Sequence, residues 1–228
     1  MITVNTFMRT FQLQVGNSTG TIFVMEKDDR QYWVTAKHVL DGWDGDSPMA
    51  IRKLGGWLQV GFKLVGHHPV ADVAVLVADG YVQNHPVEAS MNGLRIAQDL
   101  YFMGFPFGWA AEMDANLNRD FPMPFIKKAI VSAVCPPSPG VQDVLFLDGH
   151  NNPGFSGGPV VFVDANTGAH KICGVVSGYR IQPENVFVGE ERFEAYVQAN
   201  SGLMICEQIM RVDEVIAKNP IGLLKPDT

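Results

Sequence analysis

Cysteine is scarce in this chain, with three in 228 residues. Cys135, Cys173 and Cys206 are an odd number, far apart, and show neither zinc-site spacing nor a redox pair. They suit buried apolar positions in a reducing compartment, and exclude a disulfide framework. Long hydrophobic runs are missing as well: nothing approaches the roughly 20 apolar residues that span a bilayer. The amino-terminal stretch MITVNTFMRTFQLQV lacks a continuous apolar segment ending in a small-residue cleavage site. A cytoplasmic location without membrane attachment is therefore expected. Lys/Arg clusters are also absent. With 17 basic against 24 acidic residues and a formal charge of −7 spread along the chain, binding through a nucleic-acid backbone is not expected. No repeat, heptad or low-complexity linker is present, and the 23 Gly and 14 Pro are scattered as turn signals.

What the chain has is strand pattern. Apolar residues make up 46% of it, enough for a sizeable core in one large all-β domain or two small lobes. Short apolar and β-branched runs occur at 11–15, 20–26, 31–36, 57–65 and 72–78, and again at 99–104, 125–134, 143–148, 158–164 and 171–178. Many short strands at this spacing predict antiparallel barrels or sandwiches. The stretch 84–98 separates the two series, so the expected organisation is a lobe over 1–90 and a second over 91–228. A closing helix is predicted at about 206–218, where Ile209, Val212, Val215 and Ile216 form one stripe before Pro220. The segments 41–56, 105–124 and 179–201 are poor in strand pattern and read as long loops, where functional residues gather.

Ser156 lies in NNPGFSGGPVV (151–161). Glycines there permit positive φ and close backbone approach, so successive N–H groups can converge on an anion. A glycine-rich β-turn without chemistry has the same composition. A nucleophilic serine needs a base, and the base needs a partner that fixes its tautomer. His38, in YWVTAKHVLDG, follows an apolar strand where the chain turns out of the core; an ordinary strand-end histidine reads the same way. Asp72, in HHPVADVAVLVAD, opens a strongly apolar strand, where a carboxylate requires hydrogen bonds or serves simply as a turn cap. GFSGG also satisfies G-x-S-x-G, the nucleophile elbow before a helix. Here Pro159 and VVFVD follow instead, and the one later histidine is His170. The order His38, Asp72, Ser156 is that of chymotrypsin.

Taken in order, the segments TAKHVL, ADVAVLVA, YFMGFPFG, NNPGFSGGPVV and GVVSG, with NSGLMICEQIMRV after them, resemble those of the trypsin/chymotrypsin-fold serine peptidases. The likeness is especially to the disulfide-poor HtrA/Deg-like group, over roughly residues 10–218. The resemblance implies two antiparallel β-barrels with a C-terminal helix, and a serine endopeptidase without metal or organic cofactor. It implies Ser156 as nucleophile, His38 as general base and Asp72 as its orienter. The Gly154 and Ser156 amides would form the oxyanion hole, and Ser177 would support Asp72 or bind substrate backbone. Gly178 and Tyr179 would continue that wall, and His150, six residues before Ser156, would shape the specificity pocket or lie exposed on its loop.

The chain also departs from the family. Phe155 stands where secreted digestive members have an aspartate that pairs with a newly cut N-terminus, so activation by cleavage is not expected. The HtrA group usually carries a PDZ domain after the closing helix, whereas ten residues follow Lys218. Recruitment of a peptide or protein substrate is then expected from the peptidase loops or a regulatory protein partner. The rival expectation is a catalytically silent trypsin-like fold acting as a peptide-binding or assembly module. An esterase of the same fold would use the same residues. His67-His68 lacks a third ligand and reads as an exposed turn. Glu184, Glu190, Glu191 and Glu194 read as a solvated face that modestly favours basic substrates.

Overall fold

The computed structural model of the chain describes residues 2–111, 117–135 and 143–226. After a one-turn helix α1 (Val4–Phe7), seven strands build the first sheet: β1 (Thr10–Val15), β2 (Ser18–Lys27), β3 (Arg30–Thr35), β4 (Met49–Lys53), β5 (Gly56–Val60), β6 (Phe62–His67) and β7 (Ala74–Ala78). They are ordered β5-β4-β1-β2-β3-β7-β6. The two end strands are consecutive in sequence, so the sheet curls into a barrel through the bend at Gly61. A Cβ there would lie 2.6 Å from Asp79 Oδ2. The second sheet comprises β8 (Glu88–Ala89), β9 (Asp99–Gly104), β10 (Phe125–Val134), β11 (Val144–Asp148), β12 (Pro159–Val163), β13 (His170–Val188) and β14 (Glu191–Gln208). Its order is β12-β9-β10-β11-β14-β13-β8, and pairing of β12 with β13 closes a barrel.

Three buried clusters explain why these strands hold. One fills the first barrel (Phe11, Leu13, Ile22, Trp33, Ile51, Leu76) and one the second (Leu100, Phe102, Leu145, Phe155, Val160, Met204). The third lies between them and joins Phe23, Val34 and Val75 to Met103, Val161 and Val175. Helix α2 (Met210–Lys218) seals that third cluster with Val212, Val215 and Ile216, each buried side chain contributing about 1.5–3 kcal/mol. No helix among the described residues is long and apolar enough to cross a membrane.

Several elements differ from the sequence expectation. The run 57–65 is two strands, because Gly61 lets one half pair with β4 and the other with β7. MAIRK, within a segment expected to be loop, is β4, since pairing with β1 and β5 buries Met49, Ala50 and Ile51. The segment 179–201 is no loop: it forms the outer part of a long β13–β14 hairpin, turned at Gly189 with φ +64. The closing helix starts at Met210, because residues up to Gln208 still pair within the sheet. Two short strands cross the expected division at residue 90: β8 pairs with β13, and β15 (Leu223–Leu224) returns to β3. Part of the 105–124 segment, 112–116, lies outside the described residues.

Candidate active site

The strand β3 ends at Thr35, and the chain turns through a 3-10 segment, Lys37–Leu40, that buries Val39 and Leu40 and leaves His38 half exposed. His38 faces Asp72, which lies in the turn between β6 and β7. Nδ1 of His38 is 2.6 Å from Asp72 Oδ2, and the His38 backbone N–H donates to Oδ1 at 3.0 Å. Ser177 Oγ donates to Oδ2 at 2.7 Å. Burial opposes the charge on Asp72, but the bonds from His38 and Ser177 win and hold its carboxyl below the usual range. A carboxylate only accepts, so Nδ1 carries the proton and Nε2 of a neutral His38 is left with its lone pair. The Asp72 hydrogen bond also raises the His38 pKa above 6.5, against the effect of burial.

Ser156 stands in the turn before β12, at the junction of the barrels. Its hydroxyl donates to the Ser177 carbonyl at 3.2 Å, and its carbonyl accepts from Thr21 N at 2.9 Å. Gly154 has φ +102, and a Cβ there would come within 2.3 Å of Phe105 O. Both peptide planes beside Gly154 are pinned. The Pro153 carbonyl accepts from Phe107 N at 2.7 Å, and the Gly154 carbonyl from Thr21 Oγ1 at 2.7 Å. In a trans peptide C=O and N–H point oppositely, so the Gly154 N–H faces away from Phe107. Among the described residues, neither the Gly154 nor the Ser156 N–H has a hydrogen-bond acceptor. Phe155 between them is fully buried, edge-on to Phe102 with centroids 4.9 Å apart and beneath Lys127.

The structure thus brings His38, Asp72, Ser156 and Ser177 into one hydrogen-bonded group, with Gly154 beside it and Gly178 and Tyr179 next along β13. His150 does not join that group; it is exposed after β11, its carbonyl accepting from Lys127 Nζ. Its neighbour Asn151, buried and not anticipated, donates to Gly178 O at 3.2 Å and accepts from Asn200 Nδ2 at 2.6 Å. Thr21 is a second unanticipated residue, a hydroxyl within an apolar strand that ties the first barrel to the Ser156 turn; Thr35 Oγ1 in turn donates to its carbonyl at 2.7 Å. His68 corrects the reading of His67-His68 as an exposed turn. It is buried, with Nδ1 accepting from Ala71 N at 2.7 Å and Val70 N at 3.2 Å. Its Nε2 then donates to Glu214 Oε2 at 2.8 Å, fastening the Asp72 turn to α2. Glu207 Oε1 accepts from Asp72 N at 3.2 Å.

Two packed β-barrels with a closing helix, and a His–Asp–Ser group at their junction, define the chymotrypsin-like double-barrel class. Residues 19–168 match the trypsin-like peptidase domain, and the chain belongs to that family of peptidases. Similar solved structures share the fold. Rv3671c from M. tuberculosis H37Rv, a serine-to-alanine mutant in an inactive form, is 17% identical with a TM-score of 0.61 over 94% of this chain and 88% of that one. The HtrA-type protease AlgW with a tripeptide is 20% identical, TM-score 0.60, over 93% and 61%. A serine endoprotease from Yersinia pestis is 18% identical, TM-score 0.58, over 96% and 66%. No curated protein sequence matches the chain significantly.

Proposed function

We propose that the protein is a serine endopeptidase acting through Ser156, His38 and Asp72. The observation that carries this reading is the Asp72 carboxylate, held by three donors from His38 and Ser177, which leaves His38 Nε2 free to accept a proton. A peptide chain enters beside β13. Its backbone N–H takes over the Ser177 carbonyl and releases the Ser156 hydroxyl, which rotates between staggered wells toward His38. His38 removes the hydroxyl proton as Oγ attacks the scissile carbonyl, and the Gly154 and Ser156 amides receive the developing oxyanion. His38 then returns the proton to the leaving amine. Water, deprotonated by the same imidazole, hydrolyses the acyl-enzyme.

Because the Gly154 amide is oriented by Phe107 and Thr21, an ordered site does not depend on a cut N-terminus. A regulatory protein that moves the 105–124 segment would act on this amide. The three cysteines are free thiols among the described residues, in keeping with a cytoplasmic location. One observation favours the rival reading of a catalytically silent peptide-binding module: the Ser156 hydroxyl rests on Ser177 O. Incubation with a mixed peptide library, with new termini mapped by mass spectrometry, separates the two. Cleavage by wild type that is lost in Ser156→Ala supports the peptidase, and absence of cleavage by wild type overturns it.

A further inference from the structure

Beyond Tyr179 the paired strands β13 and β14 leave the barrel and continue as a two-stranded ribbon to the turn at Gly189. A ribbon of this kind is only marginally stable in water without a covering surface. It nevertheless carries six large apolar side chains, Ile181, Phe187, Val188, Phe193, Tyr196 and Val197, that are between 52% and 66% exposed. Side chains alternate between faces along a strand. Ile181, Pro183 and Phe187 therefore share one face, and Tyr196, paired opposite Asn185, joins them. The other face holds Glu184, with Val197 opposite it, and Val188 with Glu191 opposite. Four glutamates against Arg180 and Arg192 leave the ribbon net negative.

The edge of β13 that carries this ribbon is the same edge that passes the nucleophile. Pairing with β12 stops at Val175, and the loop before β12 bonds Val176 through Gly157 and Gly158. Ser177 O then meets Ser156, and from there to the turn this edge has no strand partner among the described residues. An exposed strand edge is a template for a further strand.

We infer that the ribbon is an extended substrate-docking arm, and the inference rests on the peptidase reading above. Its occupant is the part of an unfolded polypeptide that precedes the scissile bond, added antiparallel to β13 from Ser177 toward Gly189. Residues 179–188 offer about 30 Å of edge at roughly 3.3 Å per residue. Alternate residues of the occupant lie against the Ile181–Phe187–Tyr196 face and are apolar; those between lie beside Glu184 and are Lys or Arg. Pro183 withholds one donor from the edge and limits open-ended pairing between copies.

Binding is measured by fluorescence anisotropy on full-length Ser156→Ala, so that the result does not depend on turnover. Three labelled peptides are compared: a randomised core alone, the core preceded by alternating Val and Lys, and the core followed by the same arm. The arm before the core should tighten binding at least tenfold. The double variant Phe187→Ser/Tyr196→Ser, at exposed positions, should abolish that gain and leave the core peptide unchanged. An equal gain from an arm after the core, no gain from either, or a gain unaffected by the double variant would each overturn the assignment. A wild-type dimer in sedimentation that the double variant dissolves would overturn it too, assigning the arm to a second copy. Arm-dependent binding without cleavage by wild type would leave the docking arm standing and remove the peptidase.

Discussion

Replacing Gly154 with Ala puts the proposed oxyanion turn under a load that the structure lets one work out. The residue sits at φ +102, and the added Cβ meets Phe105 O at 2.3 Å and Phe107 N at 3.0 Å. Holding a non-glycine residue in that region costs about 1–3 kcal/mol, and overpacking backbone costs about 1–3 kcal/mol more. Relaxation would break the Phe107 N to Pro153 O bond and rotate the Gly154 amide. A destabilisation of about 2–6 kcal/mol corresponds to a Tm lower by about 5–20 °C in a chain of this size. Loss of one oxyanion donor should lower kcat about 10²–10³-fold. Gly16 is the control: φ is +55 and nothing lies within 4 Å of its Cβ, so Gly16→Ala should cost a few degrees and leave kcat unchanged. Calorimetry and peptide hydrolysis on both variants decide the matter. A Gly154→Ala protein with wild-type kcat would refute the placement of the oxyanion site, and a Tm equal to that of Gly16→Ala would refute the packing argument.

Other perturbations follow from the same geometry. Asp72→Asn should lower kcat by up to about 10⁴ with little change in KM, because the tautomer of His38 is no longer fixed; a loss confined to KM would contradict the role. His38 must be neutral to act as base, so activity should fall as pH drops through an apparent pKa above the ordinary 6.5, since Asp72 raises it. In Asp72→Asn that acid limb should move to lower pH, and an unmoved limb would contradict the assignment. His68→Ala strands the buried Ala71 N–H and removes the acceptor of the N–H of solvent-exposed Val70, costing about 1–3 kcal/mol and lowering kcat through the Asp72 turn. Glu214→Gln keeps those bonds and should cost about 1 kcal/mol or less; equal Tm values for the two variants in thermal melts would refute the clamp. A blocking extension before Met1 should leave hydrolysis unchanged, because Phe155 packs on Phe102 and has no carboxylate to offer an N-terminus. Activity confined to a trimmed form would show that the argument from Phe155 is wrong.

Apart from β4 and β14, the strands whose apolar residues face a core were readable from the chain itself, down to both ends of β9 at Asp99 and Gly104. So was the order of the histidine, aspartate and serine segments, since each is a local pattern. What escaped depends on which surfaces meet. Thr21 is one hydroxyl in an apolar run until the second barrel places Gly154 O above it. His68 looks like its neighbour His67 until α2 brings Glu214 to its ring. The outer hairpin has no hydrophobic period because neither face is buried, so only the pairing of Ile181 with Asn200 and Val188 with Glu191 reveals it. The start of α2 was hidden for the opposite reason: residues 206–208 are apolar and polar in a way that suits a helix, but sheet pairing claims them.

The central claim, that Ser156 is activated by His38, is tested most directly by labelling the folded protein with a fluorophosphonate and mapping the adduct by mass spectrometry. The account predicts one phosphonylated serine, Ser156, with labelling lost in Ser156→Ala and strongly slowed in His38→Ala while both variants keep the wild-type fold. Labelling at another serine, or none in the wild-type protein, would contradict it.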